Sequence, residues 1–160
     1  MSILKENIEK FMRVVLEEVR EGIRSGQAPF GACIVKDGEV IACEHNSVWK
    51  QTDCTAHAEI LAIRKACKKL KTIDLSDCEI YSTCEPCPMC FSACHWARIS
   101  KIYYGASIQD AKRYGFNELE ISNEQMRRNG NSKVKIKAGL MKDECIIRFK
   151  EWKRSKGRSY

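Results

Sequence analysis

The chain has 160 residues, 44% of them hydrophobic, and its 28 Lys and Arg outnumber its 21 Asp and Glu, for a formal net charge of +7 at pH 7. This length can bury one core, and because no composition shift or internal repeat divides it, a single domain spanning 1–160 is predicted. The first six residues are soon charged and lack a signal-type apolar core, and no apolar run reaches about 18 residues, so a soluble, cytoplasmic protein without a membrane partner is predicted.

The chain opens with a helical pattern. Apolar residues recur at helical spacing over about 5–24, and the pattern ends near Gly26. This predicts an amphipathic helix that packs on the core. Asp37-Gly38 then separates two apolar runs, 31–36 and 39–44. This pair suits the positive φ angles of a tight turn, so the runs are predicted to form a β-hairpin.

Helices and strands alternate after the hairpin. A helix is predicted to begin at His57, followed by a strand over 78–82, a second helix that Pro88 opens, and a strand over 101–105. The order β-β-α-β-α-β predicts an α/β fold, a three-layer α-β-α sandwich with a mixed central sheet and helices on both faces. Both helix starts are expected at one edge of that sheet.

Two motifs at these helix starts carry the chemistry. His57-Ala58-Glu59 is followed by Pro86-Cys87-Pro88-Met89-Cys90. His57, Cys87 and Cys90 offer one imidazole and two thiolates, which suit zinc, and three protein ligands leave a position for water, as in catalytic sites. One Zn²⁺ per chain is predicted. Glu59, about 200° around the helix from His57, is placed to move protons rather than to bind the metal.

The combined pattern is similar to the H-x-E…P-C-x-x-C signature of zinc nucleobase deaminases. Two other interpretations remain for the cysteine pair: a thioredoxin-like redox pair, or a structural zinc with Cys84 or Cys94 as its fourth ligand. The upstream His-x-Glu argues against both. The eight cysteines outside the proposed ligand set are predicted to be small, reduced apolar residues, with Cys54 and Cys84 close to the site.

Beyond these motifs, the sequence resembles the cytidine deaminase superfamily and, within it, the small bacterial guanine deaminases. The resemblance extends over nearly the whole chain, through residues 29–32, 34–38, 55–59, 62–66, 84–90, 96–98, Gly115-Phe116 and Tyr160. The zinc motif is shared with cytidine, cytosine and tRNA adenosine deaminases. Phe30, Trp96, Gly115-Phe116 and Tyr160 together favour guanine.

This resemblance implies a role for several residues. Asn46 is expected to hydrogen-bond a purine with help from the Ala58 backbone, and Phe30 and Trp96 are expected to pack on or beside it. Tyr160 is expected to reach over the pocket in a homodimer that exchanges its C-terminal segment. These expectations name the substrate-binding residues.

The resemblance also implies a second catalytic carboxylate beside Glu59. In the family an Asp-Asp pair follows Gly-Phe, whereas this chain has Asn117-Glu118, so the role falls on Glu118. The extra methylene of glutamate moves the carboxylate oxygens by roughly an ångström, a shift that affects catalysis. The resemblance as a whole predicts deamination of guanine to xanthine, with cytosine or another free base as the alternative.

Two other functions remain open. The basic stretch 127–158 could bind tRNA phosphates, as in a tRNA adenosine deaminase, or it is the solvated face of a last helix whose apolar residues pack inward. Those apolar residues are Ile146, Ile147, Phe149 and Trp152. The non-enzymatic alternative is a silent zinc-binding dimerisation module. Glu59 argues against it, because a structural zinc has no use for a proton shuttle.

Overall fold

The computed structural model describes residues 3–160, with side chains from residue 6 onward. Residues 1 and 2, part of the segment considered for a signal peptide, lie outside the described residues. The helices are α1 (Ile3–Arg24), α2 (Val48–Gln51), α3 (Ala58–Leu70), α4 (Pro88–Trp96), α5 (Ile108–Arg113), α6 (Asn123–Asn129) and α7 (Lys142–Arg154). The strands are β1 (Gly31–Lys36), β2 (Glu39–His45), β3 (Cys78–Cys84), β4 (Lys101–Ala106) and β5 (Lys135–Lys137). The sequence pattern did not reveal α2, α5, α6 and β5, which are all short.

The strands form one mixed sheet in the order β2-β1-β3-β4-β5. Strand β1 is antiparallel to β2 and β3, whereas β3, β4 and β5 run parallel. The carboxyl ends of β3 and β4 therefore meet at one edge of the sheet. There β3 leads through residues 85–87 into α4, and β4 leads through Ser107 into α5. This is the edge at which ligands bind in such sheets.

Helices cover both faces of the sheet, so the predicted three-layer sandwich is confirmed. Helices α1 and α7 pack on one face in a core that includes Met12, Tyr81 and Phe149. Helices α3 and α4 pack on the other face in a core that includes Ile80 and Ile102. Successive strand residues point to opposite faces, and Ile80 and Tyr81 accordingly enter different cores.

The prediction that the remaining cysteines are reduced is wrong for one pair. Cys33 and Cys43 lie opposite each other on β1 and β2, with Cα atoms 4.1 Å apart, and form a disulfide. The sequence pattern located both strands but not the register that brings the two side chains together. The other eight cysteines, all in the described part of the chain, are free, and Cys54 is exposed rather than packed.

The basic C-terminal stretch includes α7, which packs on α1 and β4 of its own chain. Phe149 and Trp152 are buried as predicted, and Ile146 is partly buried. Ile147 is 44% exposed, which corrects the prediction that it packs inward; it lies on the solvent side of α7, next to the buried Arg148. Among the helices of residues 3–160, none has both the length and the apolar character needed to cross a bilayer.

Candidate active site

Three metal-ligand side chains meet at the carboxyl edge of the sheet. His57 is the N-cap residue of α3, Cys87 is the N-cap residue of α4, and Cys90 lies in the first turn of α4. His57 Nδ1 is 3.6 Å from Cys87 Sγ and 3.5 Å from Cys90 Sγ, and all three ligand atoms lie within 4.8 Å of one another. One imidazole and two thiols are a donor set that zinc prefers, so these residues fit one Zn²⁺.

The local structure of α4 prepares its cysteines for a cation. Pro88 occupies the first turn, where its missing N–H is not needed, and the free N–H groups of the following residues favour a thiolate. The hydrogen bond from Cys90, helped by His57 and opposed by burial, lowers the pKa of Cys87 to about 4. The same hydrogen bond, together with burial, raises the pKa of Cys90. A metal cation would bind both sulfur atoms as thiolates and displace the remaining proton.

Glu59 faces this group without belonging to it. It is the second residue of α3 and is only 6% exposed. Its Oε2 accepts a hydrogen bond from Cys90 Sγ at 3.5 Å, and its Oε1 lies 3.2 Å from the Ser82 hydroxyl. Burial raises its pKa, which suits a group that takes up and releases a proton. Sequence reasoning missed Ser82, although a small polar residue in a buried strand position is a signal of such a contact.

Glu118 reaches the same site from the segment that joins α5 to α6. Gly115 has a φ of 96°, which glycine adopts without strain, and it turns the chain away from α5. Glu118 then lines a deep recess together with His57, Glu59 and Cys87. Burial, followed by the negative charges of Cys87 and Glu59, raises the pKa of Glu118 to about 7. The carboxylate that follows Gly115-Phe116 therefore lies beside the metal group, His57, Cys87 and Cys90, although this chain has Asn117-Glu118 where the family has Asp-Asp.

In the metal-free protein, the contribution of Glu118 to the free energy of unfolding is expected to fall as the pH rises from about 4.5 to about 7, whereas that of Cys87, whose pKa is lowered to about 4, rises over the same range. The pKa of Glu118 is raised from 4.5 to about 7 in the folded chain, so its contribution is fully present below the unfolded pKa and is lost as the pH rises through the folded one. Burial raises the pKa of Glu59 in the same direction. The check is the difference in Tm between chelator-treated wild type and Glu118→Gln, which should shift in favour of the variant as the pH rises through this range. A difference that stays constant contradicts the prediction.

The site opens to solvent through a cavity of about 280 Å³. Its lining joins the metal side, the segment after α5 and the C-terminal residue: Cys54, His57, Cys87, Pro88, Met89, Phe116, Asn117, Glu118, Leu119 and Tyr160. The deeper recess, of about 20 Å³, is lined by Phe30, Glu59, Cys84 and Glu85 as well. His57 and Cys87 therefore border an opening that is also lined by aromatic and acidic side chains.

Tyr160 lies over the metal group of its own chain. Asn46 Nδ2 donates a hydrogen bond to its hydroxyl at 2.6 Å, and its ring centre is 5.7 Å from that of His57. The preceding residues are held by Trp49, whose Nε1 donates to the Arg158 carbonyl at 3.0 Å and whose ring lies 3.3 Å from the Arg158 guanidinium. The exchange of this segment with a second copy stays a prediction.

The other predicted binding residues fall into two groups. Phe30 packs edge-on against Phe116, with ring centres 4.7 Å apart, and lines the recess. Ala58 is the buried first residue of α3, so its N–H has no carbonyl partner within the helix. Trp96, in contrast, ends α4 and is 80% exposed, about 12 Å along the helix from its start. A single chain does not bring Trp96 to the pocket.

Comparison with known proteins places this site in a family. Residues 5–106 match the family model of the cytidine and deoxycytidylate deaminase zinc-binding region. The guanine deaminase of Bacillus subtilis (strain 168) is 47% identical over 119 residues, 74% of this chain and 76% of that protein. The tRNA-specific adenosine deaminase of Aquifex aeolicus (strain VF5) is 48% identical over 98 residues, 61% of this chain and 65% of that protein. The structure of guanine deaminase from Nitrosomonas europaea superposes with a TM-score of 0.85 at 32% identity, over 91% of this chain and 84% of that one.

Proposed function

The chain belongs to the cytidine and deoxycytidylate deaminase family and is a zinc-dependent hydrolytic deaminase, and we propose that its substrate is free guanine, which it converts to xanthine and ammonia. The observation that carries the choice of substrate is the position of Tyr160, which covers the recess above His57 and is hydrogen-bonded to Asn46. A free base needs room for one ring system. An adenosine in tRNA must bring its ribose and phosphates through the same opening.

In the proposed reaction, Glu59 and Glu118 divide the proton transfers. Zinc, when bound, supplies the Lewis acidity that makes a water molecule nucleophilic near neutral pH. Glu59 takes a proton from this water molecule while the water oxygen forms a bond to C2 of guanine and the C2=N3 double bond becomes a single bond. Glu59 then passes the proton to N3. Glu118, whose pKa is raised by burial, protonates the amino group as the C2–N bond breaks and ammonia leaves. At the same time Glu59 takes the proton of the hydroxyl added at C2, and the C2=O bond of xanthine forms.

Binding of the base uses the residues around the recess. Phe30 offers a ring at the wall, and the Ala58 N–H at the start of α3 offers a hydrogen-bond donor. Asn46 Oδ1 accepts from the Val48 N–H at 3.2 Å, which fixes the amide plane. Its Nδ2, now bonded to the Tyr160 hydroxyl, donates to the purine when the base enters.

We infer that the chain is a single deaminase domain, residues 1–160, and that a homodimer of two such chains completes the site. Trp96 is 80% exposed, and its ring contacts His95. An exposed tryptophan is unusual away from an interface, because burying its ring on a partner is favourable. In the proposed dimer, Trp96 of one chain packs beside the base bound in the other chain. The segment exchanged between the two chains is the C-terminal one.

The first test is ammonia release by the zinc-loaded protein from a panel of substrates. Guanine should turn over, whereas cytosine, adenine, their nucleosides and a tRNA anticodon stem-loop should not. Turnover of a neutral base should change little between about 50 and 200 mM salt, because no phosphate contact is broken. Inert guanine together with a reactive second free base would contradict the choice of guanine and leave the deaminase chemistry intact.

The second candidate function is deamination of adenosine in tRNA. Two observations favour it: the 48% identity to the Aquifex aeolicus enzyme, which is close to the 47% identity to guanine deaminase although over a shorter stretch, and the net charge of +7. This activity would fall steeply with added salt, because each phosphate contact releases counterions. A stem-loop substrate that reacts with such a salt dependence, while guanine stays inert, would replace the primary proposal.

A further inference from the structure

Glu85 is a buried carboxylate to which the proposed reaction assigns no role. It lies between the end of β3 and the Pro86-Cys87 segment and is 6% exposed. Its backbone N–H donates to the carbonyl of Ala106, the last residue of β4, at 2.7 Å. Glu85 thus stands where two parallel strands end and the metal-ligand segment begins.

The carboxylate of Glu85 binds the starts of two helices. Its Oε2 accepts from the Ile108 N–H at 3.1 Å, and its Oε1 accepts from the Asn123 N–H at 2.8 Å. Ile108 and Asn123 are the first residues of α5 and α6, where N–H groups have no partner within the helix. Asn123 Nδ2 also donates to the Pro86 carbonyl at 2.6 Å. Glu85 is therefore hydrogen-bonded to α5 and α6, and Pro86 is hydrogen-bonded to α6.

The segment between these helices carries Glu118. Residues 114–122 run from the end of α5 to the start of α6 and place Phe116 and Glu118 in the pocket wall. The helices on both sides of this segment, α5 and α6, are thus hydrogen-bonded to the side chain of Glu85. We propose that Glu85 is a positioning residue that sets the location of Glu118 relative to the ligands Cys87 and Cys90. This inference rests on the proposed function, because it takes Glu118 to act in deamination.

A carboxylate suits this position because two N–H donors need two acceptor oxygens. Glutamine keeps the shape of the side chain but offers one acceptor, and its NH₂ group would face one of the N–H donors. One of the two connections is then lost, and the unpaired N–H lies in a buried place. A displacement of about 1 Å of a catalytic group can lower the rate by about a hundredfold.

The test is a double-mutant cycle on kcat/KM for guanine. Glu85→Gln should retain zinc and lower kcat/KM by about a hundredfold in the wild-type chain, but by less than about threefold in Glu118→Gln, because the group it positions is already lost. The control is Arg148→Met. Arg148 is also 6% exposed and bonds the Leu16 carbonyl, which connects α7 to α1 and not to the 114–122 segment. Arg148→Met should change kcat/KM by the same factor in the wild-type chain and in Glu118→Gln.

Equal losses from Glu85→Gln in both backgrounds would overturn the inference, as would a Glu118→Gln variant with full activity. If Glu85→Gln does not fold, Asn123→Ala removes the bond to the Pro86 carbonyl from the α6 side and takes its place in the same cycle. Its expected loss is smaller, and the expected coupling to Glu118 is the same.

A second measurement does not depend on the substrate. Amide hydrogen exchange in the zinc-loaded protein should become faster across residues 108–123 in Glu85→Gln and stay unchanged there in Arg148→Met. Unchanged exchange in Glu85→Gln would overturn the positioning role. A wild-type protein that leaves guanine intact, combined with faster exchange in this variant, would contradict the proposed function and leave the positioning by Glu85 standing.

Discussion

Replacing Glu59 with Gln is expected to lower kcat/KM for the substrate by about 10³-fold or more while one zinc per chain stays bound. The amide has nearly the same size as the carboxylate but accepts no proton from water. Because Glu59 is buried against Ser82 and Cys90 and lies outside the ligand group, the variant should keep its fold and its metal. Ammonia release and metal content are the two measurements.

Ser82→Ala is the matched control for this variant. It removes the hydroxyl that lies 3.2 Å from Glu59 Oε1 and leaves the carboxylate in place, so a loss of about tenfold is expected. Full activity in zinc-loaded Glu59→Gln would show that another group moves the protons. A Glu59→Gln protein without zinc would indicate that the carboxylate is needed for metal binding instead.

Replacing Cys90 with Ala is expected to remove both the metal and all measurable deamination. Two remaining ligands hold zinc poorly: altering residues that only support ligands already lowers affinity by about 10- to 100-fold, and loss of a ligand itself should exceed that. Zinc content after gel filtration and ammonia release are the readouts. Chelation of the wild-type protein should give the same inactive state, and added zinc should restore activity in the wild-type chain alone.

Cys84→Ala and Cys94→Ala distinguish a catalytic site from a closed structural one. Both thiols are buried near the site, but neither belongs to the group of three ligand atoms that lie within 4.8 Å of one another, so each is expected to bind no metal. These variants should retain one zinc and most of the activity. If either loses zinc as Cys90→Ala does, the metal has a fourth protein ligand and no free position for water.

Several features could be predicted from the sequence because each depends on residues close together in the chain. Alternation and helical spacing predicted the hairpin, the long first helix and the alternating elements that follow it. The spacing of His57-Ala58-Glu59 and of Cys87 with Cys90 predicted the metal group, since a helix start fixes the direction of neighbouring side chains. The family resemblance located Glu118, and the structure places it beside Glu59 in spite of the changed residue.

Other features depend on contacts between segments that are far apart in the chain, and local sequence patterns do not reveal such contacts. The register of β1 and β2 pairs Cys33 with Cys43, and the meeting of β3, α5 and α6 gives Glu85 its partners. Tyr160 lies 114 positions from Asn46 along the chain and still bonds to it. These arrangements follow from burial and hydrogen bonding summed over the whole fold, in which a one-residue slip of a strand exchanges its buried and exposed faces. The residue pattern along the chain was enough to predict the metal chemistry and the order of the longer elements, whereas long-range packing decided what surrounds the metal site and covers it.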